Sequence, residues 1–248
     1  MSCVEKKLIC SLLGLSDSHK VCQKKTLNYT RNEMSVYILN WKKVSTNSLS
    51  LYEKIKPIIQ HTYIINCDET LTLPSTIQHV QLDDSYYYGG QFDAAIKHVA
   101  PGNIFCLIVG DNVSENNFDT IFDSAICAFN NFRIGVYSPN DKRSAHTVRL
   151  EQISGNLYDV VNTDCGFWFI HPTIVHTLRS LDYHGSSNLG WGIDKIFIKE
   201  ARRRELLVVR DYSIETDQLD HTTNYNQENA HNESLVLESI YEELVKTL

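Results

Sequence analysis

The feature that most constrains this chain is a repeated alternation. Short apolar runs, rich in β-branched and aromatic residues, each end in a polar or glycine-containing cluster and are separated by segments of helical spacing. The runs cover residues 35–39, 61–66, 79–82, 103–109 and 132–137. The first ends in Asn40-Trp41-Lys42-Lys43, the second in Cys67-Asp68-Glu69 and the fourth in Gly110-Asp111-Asn112, while Tyr86-Tyr87-Tyr88-Gly89-Gly90 follows the third and Ser138-Pro139 closes the fifth. Between them, residues 49–59, 91–98 and 116–130 carry helical patterns; in the last, Phe118, Ile121, Phe122, Ala125 and Ile126 fall on one face. Strands alternating with helices at this spacing predict an α/β fold with a mostly parallel sheet and crossover helices. In such sheets ligands bind beyond the carboxyl ends of the strands. The polar clusters should therefore converge on one edge.

The second half reads differently. Residues 148–153 and 158–161 read as strands of a mixed region, residues 172–181 as a helix, 186–192 as a loop, 194–205 as a helix and 206–209 as a strand. A polar stretch, 217–232, precedes a closing amphipathic helix over 233–248, with Leu235, Leu237, Ile240, Tyr241 and Leu244 as its apolar positions. Residues 1–33 are polar and Lys-rich and read as an N-terminal extension with a short helix near 4–13. The remainder, 34–248, reads as a single domain.

Composition removes several function classes. With 30 acidic and 23 basic residues the net charge is −7, which excludes a uniformly basic nucleic-acid surface but not a local patch. Seven cysteines, an odd number without a CxxC pair, predict free thiols in a reducing, cytoplasmic compartment rather than a disulfide framework or a structural zinc site. The apolar patch at residues 8–15 is too short to span a membrane.

Individual residues carry two readings each. Asp111 at the end of an apolar strand is a turn former or a ligand to metal or phosphate. Asp194, behind Gly190-Trp191-Gly192 and at the start of a helix, is a first-turn carboxylate favoured by the helix dipole or a functional base. Trp191 is a packing residue or a platform for a sugar face. Arg202-Arg203-Arg204 on a helix form a solvated face or contact a phosphate-bearing acceptor. His171, His176 and His184 lack HExxH spacing and read as structural. Gly89-Gly90 matches neither a dinucleotide fingerprint nor a Walker loop.

The order of these pieces resembles glycosyltransferases of the GT-A fold, most like the family-2-type inverting enzymes. The resemblance rests on "YILNWKK", "IINCDE", "YYYGGQFDAAI", "CLIVGDNV", "FRIGVYSP", "DCGFWFIHP", "GWGID" and "DHTTNYN", in that order over roughly residues 35–226. It implies a nucleotide-sugar half over about 34–140 and an acceptor half over about 141–226. It further implies transfer of a sugar, with inversion, from a nucleotide-sugar donor, UDP-linked, to an acceptor hydroxyl. That hydroxyl belongs to a glycan or to a hydroxymethylated DNA base of the kind modified by large tailed phages. Asn40, Trp41, Lys42, Asp68, Gly89, Gly90 and Asp111 would meet the donor, Trp191 and Gly192 the acceptor, and Asp194 would be the general base. A divalent cation, Mn²⁺ or Mg²⁺, would be held by Asp111, Asn112 and His221. The chain departs from the usual Asp-x-Asp element by carrying Gly110-Asp111-Asn112, with one carboxylate instead of two. That departure keeps a non-catalytic binding module of the same fold open. A nucleotidyltransferase would need a Gly- and Arg-rich phosphate loop after the first strand, which Asn40-Trp41-Lys42-Lys43 is not.

Overall fold

The computed structural model describes residues 28–142, 147–163, 165–219 and 226–248. The first four strands are β1 (Met34–Asn40), β2 (His61–Asn66), β3 (His79–Gln81) and β4 (Ile104–Val109). They lie in the order β3-β2-β1-β4 and all run parallel. The helices α1 (Ser45–Ile55) and α2 (Tyr88–His98) belong to the connections between them. β1 is buried along its whole length, as a parallel strand covered on both faces must be.

Beyond β4 the sheet becomes mixed. β9 (Phe167–Ile170) inserts antiparallel between β4 and β6 (Ile134–Asp141). β10 (Leu207–Gln218) then runs parallel to β6, and the hairpin of β7 (Arg149–Ser154) and β8 (Leu157–Val160) closes that side. The two-residue β5 (Asn112–Val113) pairs with the far end of β10. Helices cover both faces. α1 and α3 (Phe118–Asn131) bury Leu51, Ile55, Ile121, Phe122 and Phe129 on one. On the other, α2, α4 (Pro172–Leu178), α6 (Ile193–Arg203) and α7 (Gln227–Lys246) pack Phe92, Leu178, Phe197 and Leu237 around Trp168. A four-residue helix, α5 (Tyr183–Ser186), links α4 to the loop before α6.

Several boundaries differ from the sequence expectation for identifiable reasons. α1 begins at Ser45, not near 49, because Ser45 and Asn47 lie inside the first turn and bond neighbouring strand ends instead of capping the helix. It ends before Pro57, which cannot continue a helix. Pro139 does not stop β6: it sits opposite Asp211 where the β6–β10 register slips, a position that tolerates a missing N–H. β10 is 12 residues long because its polar second half pairs with β5 and the end of β6. α7 begins at Gln227, where Asn226 caps two backbone N–H groups. Tyr29 is tied to Asn130 on α3 through its backbone, and the short helix expected near residues 4–13 lies outside the described residues.

The register slip in β10 buries a carboxylate. Asp211 accepts from Tyr137 Oη at 2.8 Å, Ser124 Oγ at 2.7 Å and Ser213 N at 2.9 Å, so β6, α3 and β10 meet on one side chain. Truncation removes the acceptor of the buried Tyr137 hydroxyl and of the part-buried Ser124, at about 1–3 kcal/mol per unsatisfied buried group before relaxation. We expect Asp211→Ala to lower the unfolding free energy by about 3 kcal/mol in urea titrations, with an unchanged m-value.

Candidate functional site

The first turn of α1 organises the carboxyl edge of the sheet. Its N-cap position, Val44, has no side chain able to accept a hydrogen bond, and Ser45 bonds outward. Ser45 Oγ donates to Asp68 Oδ2 at 2.8 Å and accepts from Asn40 Nδ2 at 3.3 Å. Asn40 Nδ2 also donates to Asn66 Oδ1 at 2.6 Å, and Asn66 Nδ2 donates to Gln81 Oε1 at 2.8 Å. A ladder of side-chain amides thus joins the ends of β1, β2 and β3. Asp68 is 5% exposed, and Thr70 N and Oγ1 occupy its other oxygen. Burial alone would raise the pKa of Asp68, but bonds from Thr70 and Ser45, with the charge of Lys42, hold it below the usual carboxylate value. Trp41 is half-buried and Lys42 exposed beside it. An open cavity of about 520 Å³ at the ends of β2 and β3 is lined by Glu69, Gln81, Leu82, Asp83 and Tyr86.

The second part of the edge is the turn Gly110-Asp111-Asn112 after β4. Asn47 Nδ2, also from the first turn of α1, donates to Gly110 O at 2.7 Å and Asn112 O at 2.9 Å, bracketing Asp111. Leu219 N donates to Asp111 O, and Asn112 Nδ2 to Gly166 O at 3.0 Å. Asp111 and Asn112 are 1% and 2% exposed, and among the described residues Asn112 Oδ1 has no hydrogen-bond partner. Gly110 has a steric cause. A Cβ there would lie 2.4 Å from Leu39 O and 2.2 Å from Ser48 Oγ, so α1 leaves no room for a carboxylate at this position. The oxygen donors of Asp111 and Asn112 suit a hard divalent cation. Among the described residues no three His, Cys, Asp or Glu side chains gather into a metal cluster, and His221 lies outside the described residues.

A chain of contacts leads from this turn to the third part. Gly166 and Cys165 precede β9, and Tyr88 Oη donates to Cys165 O at 2.9 Å. Tyr88 packs under Gly190, whose φ of 89° and whose lack of a Cβ allow the ring to approach. Gly89 and Gly90 fall inside the first turn of α2. Ser187 O and the side chains of His184, Asn188 and Tyr86 fill the space their missing side chains leave. That contact holds the loop carrying Trp191 and Gly192, and Ser187 Oγ donates to Trp191 O at 2.8 Å. Trp191 is 37% exposed, and Tyr87, tied to the same loop through Asn188, is 56% exposed. Gly192, at φ 89°, caps α6 and packs against Ser234 of α7. Asp194 stands in the first turn of α6, half-buried; burial raises its pKa against the opposing backbone N–H and charge of Lys195.

Three residues of this edge carry little signal in the sequence. Ser45 and Asn47 lie in a polar Ser/Thr-rich stretch just before the helix expected over 49–59, and Tyr87 is one of three consecutive tyrosines. The arginine triplet is tied into ion pairs, with the Arg203 and Arg204 side chains 36% and 32% exposed. Arg202 pairs with buried Asp159 at 2.9 Å, while Arg203 and Arg204 both hold the fully buried Glu200. His184 stacks on Tyr86 at 4.1 Å, and His171 caps α4. A second cavity, of about 790 Å³, lies between β5 and the end of β10, lined in part by Val113, Lys142, Tyr212 and Asp217.

With this geometry in place, comparison with known proteins is informative about architecture. No protein-family model matches the chain, and no curated protein matches it. Among solved structures, GalNAc-T7 with UDP, GalNAc and Mn²⁺ superposes with a TM-score of 0.59 at 9% identity over 84% of this chain. The match takes in 49% of the GalNAc-T7 chain, so this chain spans about half its length. A Bacillus anthracis protein described as a glucose-1-phosphate thymidylyltransferase, in complex with sucrose, gives 0.51 at 10% identity over 81% of this chain and 95% of its own. The chain has a GT-A-like fold. At these identities the likeness speaks to the fold alone.

The crowding at Gly110 is directly testable. Because the nearest atoms include the Leu39 backbone, a methyl group there must displace β1 or α1, an overpacking that costs about 1–3 kcal/mol. Gly110→Ala should lower the unfolding free energy by about 2 kcal/mol in guanidinium titrations, and Gly110→Asp by more.

Proposed function

We propose that this protein is a glycosyltransferase that moves a sugar from a nucleotide-sugar donor, UDP-linked, to a hydroxyl of a glycan acceptor. The single observation that carries the reading is the turn Gly110-Asp111-Asn112. A buried carboxylate, Asp111, stands beyond β4 next to a buried amide oxygen, Asn112 Oδ1, that has no partner among the described residues, at the carboxyl edge of the parallel strands. Asp111, Asn112 and His221 would hold a divalent cation, which when bound neutralises the charge of the leaving diphosphate. The cavity lined by Glu69, Gln81 and Tyr86 would take the nucleoside, with Asp68 next to Glu69 in the chain and Asn40, Trp41 and Lys42 at the end of the neighbouring β1. Gly89 and Gly90 act by seating the 187–192 loop, and Trp191 with Tyr87 offers flat apolar faces to sugar rings.

The reaction this supports is a single displacement with inversion. Asp194 accepts the proton of the acceptor hydroxyl while its oxygen bonds to the anomeric carbon, and the bond from that carbon to the diphosphate oxygen breaks, its electron pair leaving with the diphosphate. A glycan is favoured over hydroxymethylated DNA because Arg202, Arg203 and Arg204 are committed to Asp159 and Glu200 and cannot serve a phosphate backbone. Nucleotidyl transfer is disfavoured by the β1–α1 connection, whose four residues, Trp41 to Val44, contain two lysines but no glycine with which to wrap a triphosphate.

The test is nucleotide-sugar turnover with Mn²⁺ or Mg²⁺, measured by nucleoside diphosphate release. Wild type should turn over, and Asp111→Ala and Asp194→Ala should each lose at least about a hundredfold in kcat/KM. Binding without turnover would indicate a non-catalytic module; no nucleotide-sugar binding would overturn the reading. Hydroxymethylated DNA as the better acceptor would overturn the glycan assignment. The pH dependence has a defined sign. Burial favours the neutral acid of Asp194, so the proton-accepting carboxylate forms only above a raised pKa. The kcat/KM profile should rise with pH through a midpoint above the ordinary carboxylate value of about 4, and Asp194→Asn should abolish that limb.

A further inference from the structure

We infer that the first turn of α1 is the positioning device of the donor site, with its two polar side chains divided between two tasks: Asn47 fixes the cation-binding turn and Ser45 fixes the nucleoside side. The inference rests on the donor-site reading above and extends it to residues outside the ligand set. The side-chain amide of Asn47 donates to both carbonyls flanking Asp111, Gly110 O at 2.7 Å and Asn112 O at 2.9 Å. Those two bonds set the backbone on either side of Asp111. The donation of Asn112 Nδ2 to Gly166 O then fixes which way its amide oxygen is presented. Gly110 completes the grip from below, since its Cα sits against Leu39 O and Ser48 Oγ without space to shift. Ser45, two positions earlier, bonds in the other direction. Its hydroxyl donates to Asp68, which follows β2, and accepts from Asn40 at the end of β1, while the cavity lies at the ends of β2 and β3.

One rigid helical turn therefore registers the two halves of a donor molecule against each other. The distance between a nucleoside and its diphosphate is set by covalent chemistry, and two side chains separated by one residue on one helix match it without independent adjustment. Preorganisation of this kind acts through the orientation of ligand groups, and loss of such a support typically costs about ten- to a hundredfold in metal affinity.

The experiment separates the two tasks in the intact chain, well below its melting temperature. Mn²⁺ binding is measured from the free-ion EPR signal, and UDP binding by calorimetry in EDTA. Asn47→Ala should weaken Mn²⁺ binding about tenfold or more and leave UDP affinity in EDTA within twofold of wild type. Ser45→Ala should do the reverse. Parallel loss of both affinities in both variants, or of neither, would overturn the division and leave α1 a structural element only. Absence of Mn²⁺ and UDP binding in the wild-type protein would instead overturn the donor-site reading itself.

Discussion

The carboxyl edge of this sheet depends on a desolvation constraint. Asn40, Asn66, Asp68, Asp111 and Asn112 are all buried there. Polar groups removed from water must find partners or lose roughly 1–3 kcal/mol each. The fold meets the demand with side chains from one helical turn and carbonyls from the segment before β9. Asn40, Asn66 and Gln81 bond in series, Ser45 closes on Asp68, and Asn47 and Gly166 close on the Gly110-Asp111-Asn112 turn. Among the described residues Asn40 Oδ1 and Asn112 Oδ1 on this edge stay without a partner, as does Gln91 Oε1 on α2. A buried polar seam with open oxygen acceptors suits a cation or a hydrogen-bond-donating ligand.

Close backbone approach is the second constraint, and it assigns different work to glycines that look alike in sequence. Gly110 is small because α1 occupies its side-chain direction, which explains a missing carboxylate that the motif alone makes look like a lost function. Gly89 is small because Ser187 O sits where a Cβ would be, at 1.7 Å, so this glycine seats the loop on α2. Gly190 and Gly192 combine that closeness with a positive φ. The loop bearing Trp191 is thereby held by backbone contacts together with its own Ser187 and Asn188 side chains.

Much of the edge was legible in the sequence because it follows from periodicity. The apolar runs became β1, β2, β3, β4 and β6, and their polar ends do face one edge, as parallel order requires. What was not legible depended on tertiary partners. Ser45 and Asn47 look like N-caps, and only the arrival of Asp68 and Gly110 beside them shows why the helix starts early. Pro139 reads as a stop, yet a register slip opposite Asp211 absorbs its missing donor. The arginine triplet reads as a basic patch because Asp159 lies more than forty positions away in sequence, at the Arg202–Asp159 pairing that neutralises it. Antiparallel β9 came from an apolar stretch whose direction no local pattern encodes.

The two carboxylates beside the proposed donor and acceptor sites are driven in opposite directions. Hydrogen bonds from Thr70 and Ser45 and the charge of Lys42 outweigh burial at Asp68 and keep it anionic. At Asp194 burial outweighs the Lys195 N–H and charge, and the pKa is raised. Groups whose environments separate their pKa values in this way are suited to different roles. Asp68, its pKa lowered and both oxygens already bonded, is the poorer proton acceptor of the two. Asp194, its pKa raised, is the more basic carboxylate, and it lies on the helix behind the loop that presents Trp191. In the proposed reaction this would place proton transfer on the acceptor side of the edge and charge binding on the donor side.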